Sequence, residues 1–186
     1  MCSGVAEHET VTFRIAGIVD DSIVDGPGLR TTVFFQGCVH HCPGCHNPDT
    51  HAFDGGYETT VEAVYQHIKE QRLSHAVTFS GGDPFNQPLA LSSLVERLKE
   101  EGYHICIYTG YVYEHLKQDQ LAASILKHAD LLVDGPFLEA NKSLELKFRG
   151  STNQRIIDLR KMRFYETMYP DYDEIIPWDE EGRVYV

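Results

Sequence analysis

HAVTFSGGDPFNQPLALSSLVERLKEEGYHICIYT, residues 75–109, decides the fold. The run HAVTF reads as a strand, and it ends in the turn residues SGGDP. From Pro88 onward Leu91, Leu94, Val95 and Leu98 recur at helical spacing, and Gly102 is placed to end that helix. A second strand, HICIYT, follows at once. Strand, helix and strand in succession make a βα unit, the building block of a parallel sheet.

The alternation continues in both directions. Residues 11–18 (VTFRIAGI) and 31–36 (TTVFFQ) read as strands separated by the turn-rich VDGPG at 24–28. Thr59 and Glu62 make a capping box for a helix whose Val61, Val64, Tyr65 and Ile68 share one face. A helical stretch covers 113–128, a strand begins at 130–133, and a last strand and helix fall around 155–168. Internal repeats and low-complexity tracts are absent.

At 186 residues the chain has the size of a single domain, with a core over about 13–168 and an acidic tail over about 169–186. A complete eight-fold βα barrel takes about 250 residues, so a partial barrel of about five or six strands is expected. The expected fold class is α/β, an incomplete βα barrel with a mainly parallel sheet. Its open side would suit a macromolecular substrate better than a small one.

Composition narrows the function. Hydrophobic content of 42% with 24% charged residues is ordinary for a globular chain, and no apolar run approaches the length of a membrane span. The opening MCSGVAEHET has neither the basic nor the apolar region of a secretory signal. A reducing, cytoplasmic setting is therefore expected, and structural disulfides are not. A formal net charge of −12 repels polyphosphate, which disfavours nucleic acid and favours a protein or small-molecule partner. Asp171, Asp173, Glu174, Asp179, Glu180 and Glu181 gather around Ile175, Ile176 and the only tryptophan, Trp178. That segment reads as a solvated, partly mobile terminus.

The unusual sequences all follow strands. GCVHHCPGCHN (37–47) follows FFQ, SGGDP follows TF, TGY follows IY, and Asp134-Gly135-Pro136 follows LLV. In parallel sheets and βα barrels the carboxyl ends of the strands share one face, where active sites are built. The spacing C-x3-C-x2-C brings Cys38, Cys42 and Cys45 onto one short loop, with Pro43 and Gly44 supplying a tight turn. Cys106 reads as a small buried hydrophobe and Cys2 as merely terminal, but a polar, histidine-rich loop is a poor place for three of that kind. Two metal readings remain. One is structural zinc, with His40, His41 or His46 as a fourth ligand. The other is a 4Fe-4S cluster held at three of its four irons, which leaves the fourth iron open to a chelating ligand.

Taken together, VDGPGLR (24–30), GCVHHCPGCHN, SGGDP, DLLVDGPF (130–137) and FRGSTNQRIID (148–158) resemble the radical S-adenosylmethionine activases of glycyl-radical enzymes. The likeness spans about residues 13–159, and within the family it is nearest to the activators of anaerobic ribonucleoside-triphosphate reductase. What it implies is a cofactor pair, a 4Fe-4S cluster and S-adenosyl-L-methionine. The methionyl amino and carboxylate groups chelate the open iron, and one electron through the cluster breaks the sulfonium carbon–sulfur bond. The resulting 5′-deoxyadenosyl radical takes a Cα hydrogen from a glycine of the partner reductase. An electron donor such as flavodoxin or a thiol-redox system is implied as a further partner.

The resemblance also implies roles. Cys38, Cys42 and Cys45 become the catalytic and metal-ligating residues, and Gly44, Cys45 and His46 lie against the adenine side of the cofactor. Gly81 and Gly82 lack a Cβ, so the methionyl end can approach their backbone. Asp83 offers a carboxylate to the methionyl ammonium. Ser80, Thr109 and Asp134, at neighbouring strand ends, are candidate cofactor contacts. GGDP and Asp134-Gly135 are also ordinary turn sequences, and His40 and His41 read as solvated loop histidines. Asp25-Gly26-Pro27-Gly28 with Arg30 suits either a groove for the partner's glycine loop or a plain hairpin. Arg149-Gly150 and Asn153-Gln154-Arg155 suit either a recognition surface or a hydrogen-bond network. Related enzymes acting on pyruvate formate-lyase, or on small molecules as the deazaguanine synthases do, would share the cluster and the glycine loops.

Overall fold

The computed structural model describes residues 11–179, so Cys2, Glu180 and Glu181 lie outside the described residues. Seven strands are built from them: β1 (Thr12–Ser22), β2 (Arg30–Phe35), β3 (Tyr57–Thr60), β4 (Ala76–Gly81), β5 (His104–Tyr108), β6 (Leu131–Asp134) and β7 (Arg155–Asp158). They form one sheet in the order β3-β1-β2-β4-β5-β6-β7. β2, β4, β5 and β6 run parallel, whereas β3–β1, β1–β2 and β6–β7 pair antiparallel. The sheet is thus mixed rather than mainly parallel, and it has more strands than the length argument allows for. Only β1 and β2 are joined by a short connection, 23–29; β6 reaches β7 through residues 135–154, and the parallel neighbours are joined by crossovers.

The crossovers are helical. α1 (Val61–Glu70) starts at Thr60, whose hydroxyl accepts from the Ala63 N–H at 3.1 Å. The cap is Thr60 rather than Thr59, and both threonines are also ladder residues of β3, paired with Thr12 and Phe13 of β1. α2 (Pro88–Glu100) has proline in its first turn, and Gly102 beyond its end takes φ +82°, a left-handed conformation that glycine adopts without strain. The helical stretch 113–128 is two pieces, α3 (Tyr113–Leu116) and α4 (Gln120–His128). The chain restarts at Asp119, whose carboxylate accepts from Ala122 N–H at 2.8 Å. α5 (Leu159–Met168) is capped in the same way by Asp158.

Strand alternation divides the interior. Val33, Phe35, Val77, Phe79, Ile105, Ile107, Leu132 and Ile157 join the helices in the main core. The opposite face carries a smaller cluster, Cys106, Leu131 and Val133, with Tyr108, Ile156 and Trp178 packed on it. Trp178 gets there because the tail docks. Trp178 N–H donates to Ile156 O at 2.8 Å, Asp158 N–H donates to Ile176 O at 3.0 Å, and Pro177 bridges Ile157. Residues 175–178 therefore cover the outer edge of β7, which corrects the expectation of a solvated terminus for that stretch, while Asp171, Asp173 and Glu174 are exposed. An uncovered strand edge leaves its backbone donors and acceptors unpaired, and an apolar stretch carrying Trp178 is a ready partner. Among the described residues no helix is long and apolar enough to cross a membrane.

Candidate active site

The carboxyl ends of β2, β4, β5 and β6 converge on a cavity of about 640 Å³, partly open to solvent. Cys38, Cys42 and Cys45 all line it, and all three are free thiols. The loop that carries them is clipped at its base: Gly37 N–H donates to Thr50 O at 2.8 Å, and Cys38 N–H donates to His51 O at 3.1 Å. At its far end Cys45 N–H donates to Cys42 O at 3.1 Å, closing a turn that passes through Gly44 at φ +72°. Burial pushes the Cys38 thiol above its ordinary range, and the backbone N–H groups of His40 and His41 oppose that shift.

The glycines at the end of β4 are needed for a different reason from the one the sequence suggests. A Cβ on Gly81 would stand 2.5 Å from the backbone N and O of Phe35, and one on Gly82 would run into the Gly37 carbonyl. Both would strike the neighbouring chain rather than fill the cavity. Gly82 N–H donates to Phe35 O at 2.7 Å and Asp83 N–H to Gly37 O at 2.9 Å, so this turn is laced to the root of the cysteine loop. The backbone of Gly81 and Gly82 still lines the cavity.

Two carboxylates assigned to the cofactor turn out to be occupied. Asp83 is fully buried and takes hydrogen bonds from Phe85 N–H (3.0 Å), Gly110 N–H (2.9 Å), Thr109 Oγ1 (2.9 Å) and His40 Nε2 (2.9 Å). It is absent from the cavity wall, and its lone pairs are spent on the protein. Asp134 is likewise fully buried, accepting from Tyr113 N–H at 2.8 Å and from Arg155 Nε at 2.9 Å. Both carboxylates are engaged by donors of the protein itself. Gly44 also stands off the cavity, its missing Cβ directed at Glu139.

Ser80, Thr109 and His46 do line the cavity, His46 with its ring 5.0 Å from that of Phe137. His40, expected to be solvated, is instead only 17% exposed and seated on Asp83. The stretch 149–155 is the hydrogen-bond network: Gln154 accepts from Gly150 N–H at 2.9 Å and donates to Gly135 O, and Arg149 donates to Gln154 O at 2.6 Å. The same loop places Arg149, Gly150 and Gln154 on the cavity wall. Tyr108 and Phe137 were missed as wall residues. Tyr108 could have been found, since it alternates with Ile107 and so must face away from the helices.

The donor set fits an iron–sulfur cluster. Among the described residues no three His, Cys, Asp or Glu side chains stand close enough to hold one metal ion. Ligands of a cubane each take a different iron and stand farther apart than the four ligands around a single zinc ion. Three free thiols on one cavity wall are a soft donor set that suits an iron–sulfur cluster.

Comparison with known proteins agrees with this chemistry. A family model described as a 4Fe-4S single cluster domain matches residues 24–157. The chain is 38% identical over 143 residues to an anaerobic ribonucleoside-triphosphate reductase-activating protein of Vibrio cholerae, covering 72% of this chain and 90% of that relative. It is 42% identical over 129 residues to a pyruvate formate-lyase-activating enzyme of Clostridium pasteurianum, covering 66% of this chain and 52% of that one. Among solved structures, QueE from Escherichia coli is similar with a TM-score of 0.49 at 18% identity, over 55% of this chain and 54% of the other.

Proposed function

This chain belongs to the 4Fe-4S single cluster domain family and stands among the anaerobic ribonucleoside-triphosphate reductase-activating proteins, and from that premise we propose that it is a radical S-adenosylmethionine activase that installs the glycyl radical on that reductase. Cys38, Cys42 and Cys45 hold a 4Fe-4S cluster with one iron left to the cofactor. When bound, the cluster supplies the electron that splits S-adenosylmethionine into methionine and a 5′-deoxyadenosyl radical.

The protein's own residues do the rest. The backbone of Gly81 and Gly82 receives the methionyl end, Ser80 and Thr109 border it, and His46 with Phe137 forms an aromatic wall for the adenine. Among the described residues Arg149 is the only permanent cation on the wall, and it faces a ligand that carries a carboxylate. The sheet is the wall of a partial barrel, and its open side admits a glycine-bearing loop. The chain works as one domain in the cytoplasm, on a protein rather than on nucleic acid or a membrane, and draws electrons from a carrier such as flavodoxin or a thiol-redox system.

The observation that carries this reading is the meeting of three free thiols and the glycine strand end in one cavity. The choice of partner follows from coverage, since the chain spans 90% of the Vibrio cholerae activator but 52% of the pyruvate formate-lyase activase. The test is anaerobic activation with reductant, S-adenosylmethionine and the reductase. 5′-Deoxyadenosine together with a glycyl doublet in the reductase EPR spectrum is expected. Deoxyadenosine without the doublet would refute the assigned partner.

A further inference from the structure

The cysteine loop is anchored at its base by backbone hydrogen bonds, but its middle is held by a side chain. His40, between Cys38 and Cys42, reaches across to the end of β4, where its Nε2 lies 2.9 Å from Asp83 Oδ2. The imidazole lies edge-on to Tyr111 at 4.5 Å and rests on Gly110, where a Cβ would collide with the ring. Asp83 in turn binds Thr109 and Gly110 at the end of β5. One buried carboxylate thus joins the thiol loop to two strand ends that line the same cavity.

We infer that His40 is a positioning residue: through Asp83 it locks the loop bearing the three thiols against the ends of β4 and β5 before any cluster is present, and so fixes where the cluster stands relative to the cavity. The inference rests on the cluster reading for its consequence but not for its geometry. Partners one shell out from a metal set the orientation of its ligands, and removing one typically costs about 10- to 100-fold in metal affinity.

The geometry supplies its own variants. His40→Ala removes the ring. His40→Gln keeps an N–H donor at similar reach. Gly110→Ala leaves His40 and Asp83 in place but evicts the ring from its seat, with no positive φ at Gly110 to strain the backbone. Two readouts apply. In the metal-free protein, hydrogen exchange reports protection of the Cys38 and Cys45 amides, which donate to His51 O and Cys42 O. In the cluster-loaded protein, bleaching by a chelator reports cluster retention.

His40→Ala and Gly110→Ala should each lower amide protection by about tenfold and speed chelator bleaching by about 10- to 100-fold, while His40→Gln stays close to the unaltered protein. The double variant should be no worse than His40→Ala alone, because both changes break the same contact. The inference is overturned by His40→Ala leaving both readouts within about twofold, by His40→Gln failing as badly as alanine, or by additive losses in the double variant. An unaltered protein that takes up no cluster yet shows this exchange pattern upholds the anchor and refutes the function proposed above.

Discussion

Charge is buried at both ends of the parallel strands, and the two ends put it to different use. At the amino end Arg30, the first residue of β2, is fully buried and has no hydrogen bond to a carboxylate among the described residues. Its guanidinium donates to the carbonyls of Pro27 and Val77 and to Thr78 Oγ1, and meets His104 Nδ1 at 3.3 Å. Burial pushes its pKa down while Cys106, Tyr108 and Asp25 push it back up. At the carboxyl end the buried groups are Asp83 and Asp134, and each grips a loop that walls the cavity. Arg30 ties the start of β2 to β4 and to the Pro27 turn, whereas the two carboxylates tie the loops bearing the thiols and Arg149 to the strand ends. Damage at the amino end should therefore appear as lost stability, and damage at the carboxyl end as lost function.

The largest effect belongs to the carboxyl end. Cys42→Ala should abolish cluster retention and S-adenosylmethionine cleavage, with the far-UV circular dichroism unchanged, because Cys42 sits in a loop outside both core clusters. Iron analysis with a melting curve checks both halves. Next comes the opposite end. Arg30→Met keeps the bulk but removes the guanidinium donors to the Pro27 and Val77 carbonyls and to Thr78 Oγ1, at a cost of about 3 kcal/mol or more in a urea titration. Iron bound per folded molecule should stay the same, and a selective loss of cluster would break the contrast.

A smaller effect is expected for Asp134→Asn. The Tyr113 amide keeps an acceptor, but the charge facing Arg155 is lost, at about 1–3 kcal/mol after allowing for the partial exposure of Arg155. The sharper sign is weaker S-adenosylmethionine binding, since the loop held by this pair carries Arg149 and Gln154. The smallest is Glu114→Gln. The Arg155 guanidinium holds the Glu114 carboxyl down at about 2. A lowered folded-state pKa gives stability that is present above the ordinary carboxyl pKa and lost as pH falls through the lowered one. The variant should thus be less stable by under about 1 kcal/mol at neutral pH, the pair being exposed and screened. That difference should disappear in acid between the ordinary value and about 2, as measured by urea midpoints across pH.

Local chemistry was legible in the sequence, and long-range chemistry was not. The strands at 75–79 and 104–109 and the helix from Pro88 to its glycine stop follow from periodicity and turn residues, and they stand as read. The short β3 carries no pattern of its own and exists because β1 offers it an edge. Trp178 in an acidic tail looks solvated until β7 is known to need a cover. His40 and Asp83 lie 43 positions apart, so nothing in either motif shows that the histidine of one satisfies the carboxylate of the other. The glycines at 81 and 82 were found, but the backbone they make room for belongs to the cysteine loop and β2, which only the fold brings beside them.

The central claim is a cluster held by three thiols with one iron free for S-adenosylmethionine. It is tested most directly by EPR of the anaerobically purified, dithionite-reduced protein before and after that compound is added. A reduced 4Fe-4S signal whose g-values move on addition is the predicted result. A colourless, silent protein, or a cluster signal that stays the same at saturating S-adenosylmethionine, would contradict it.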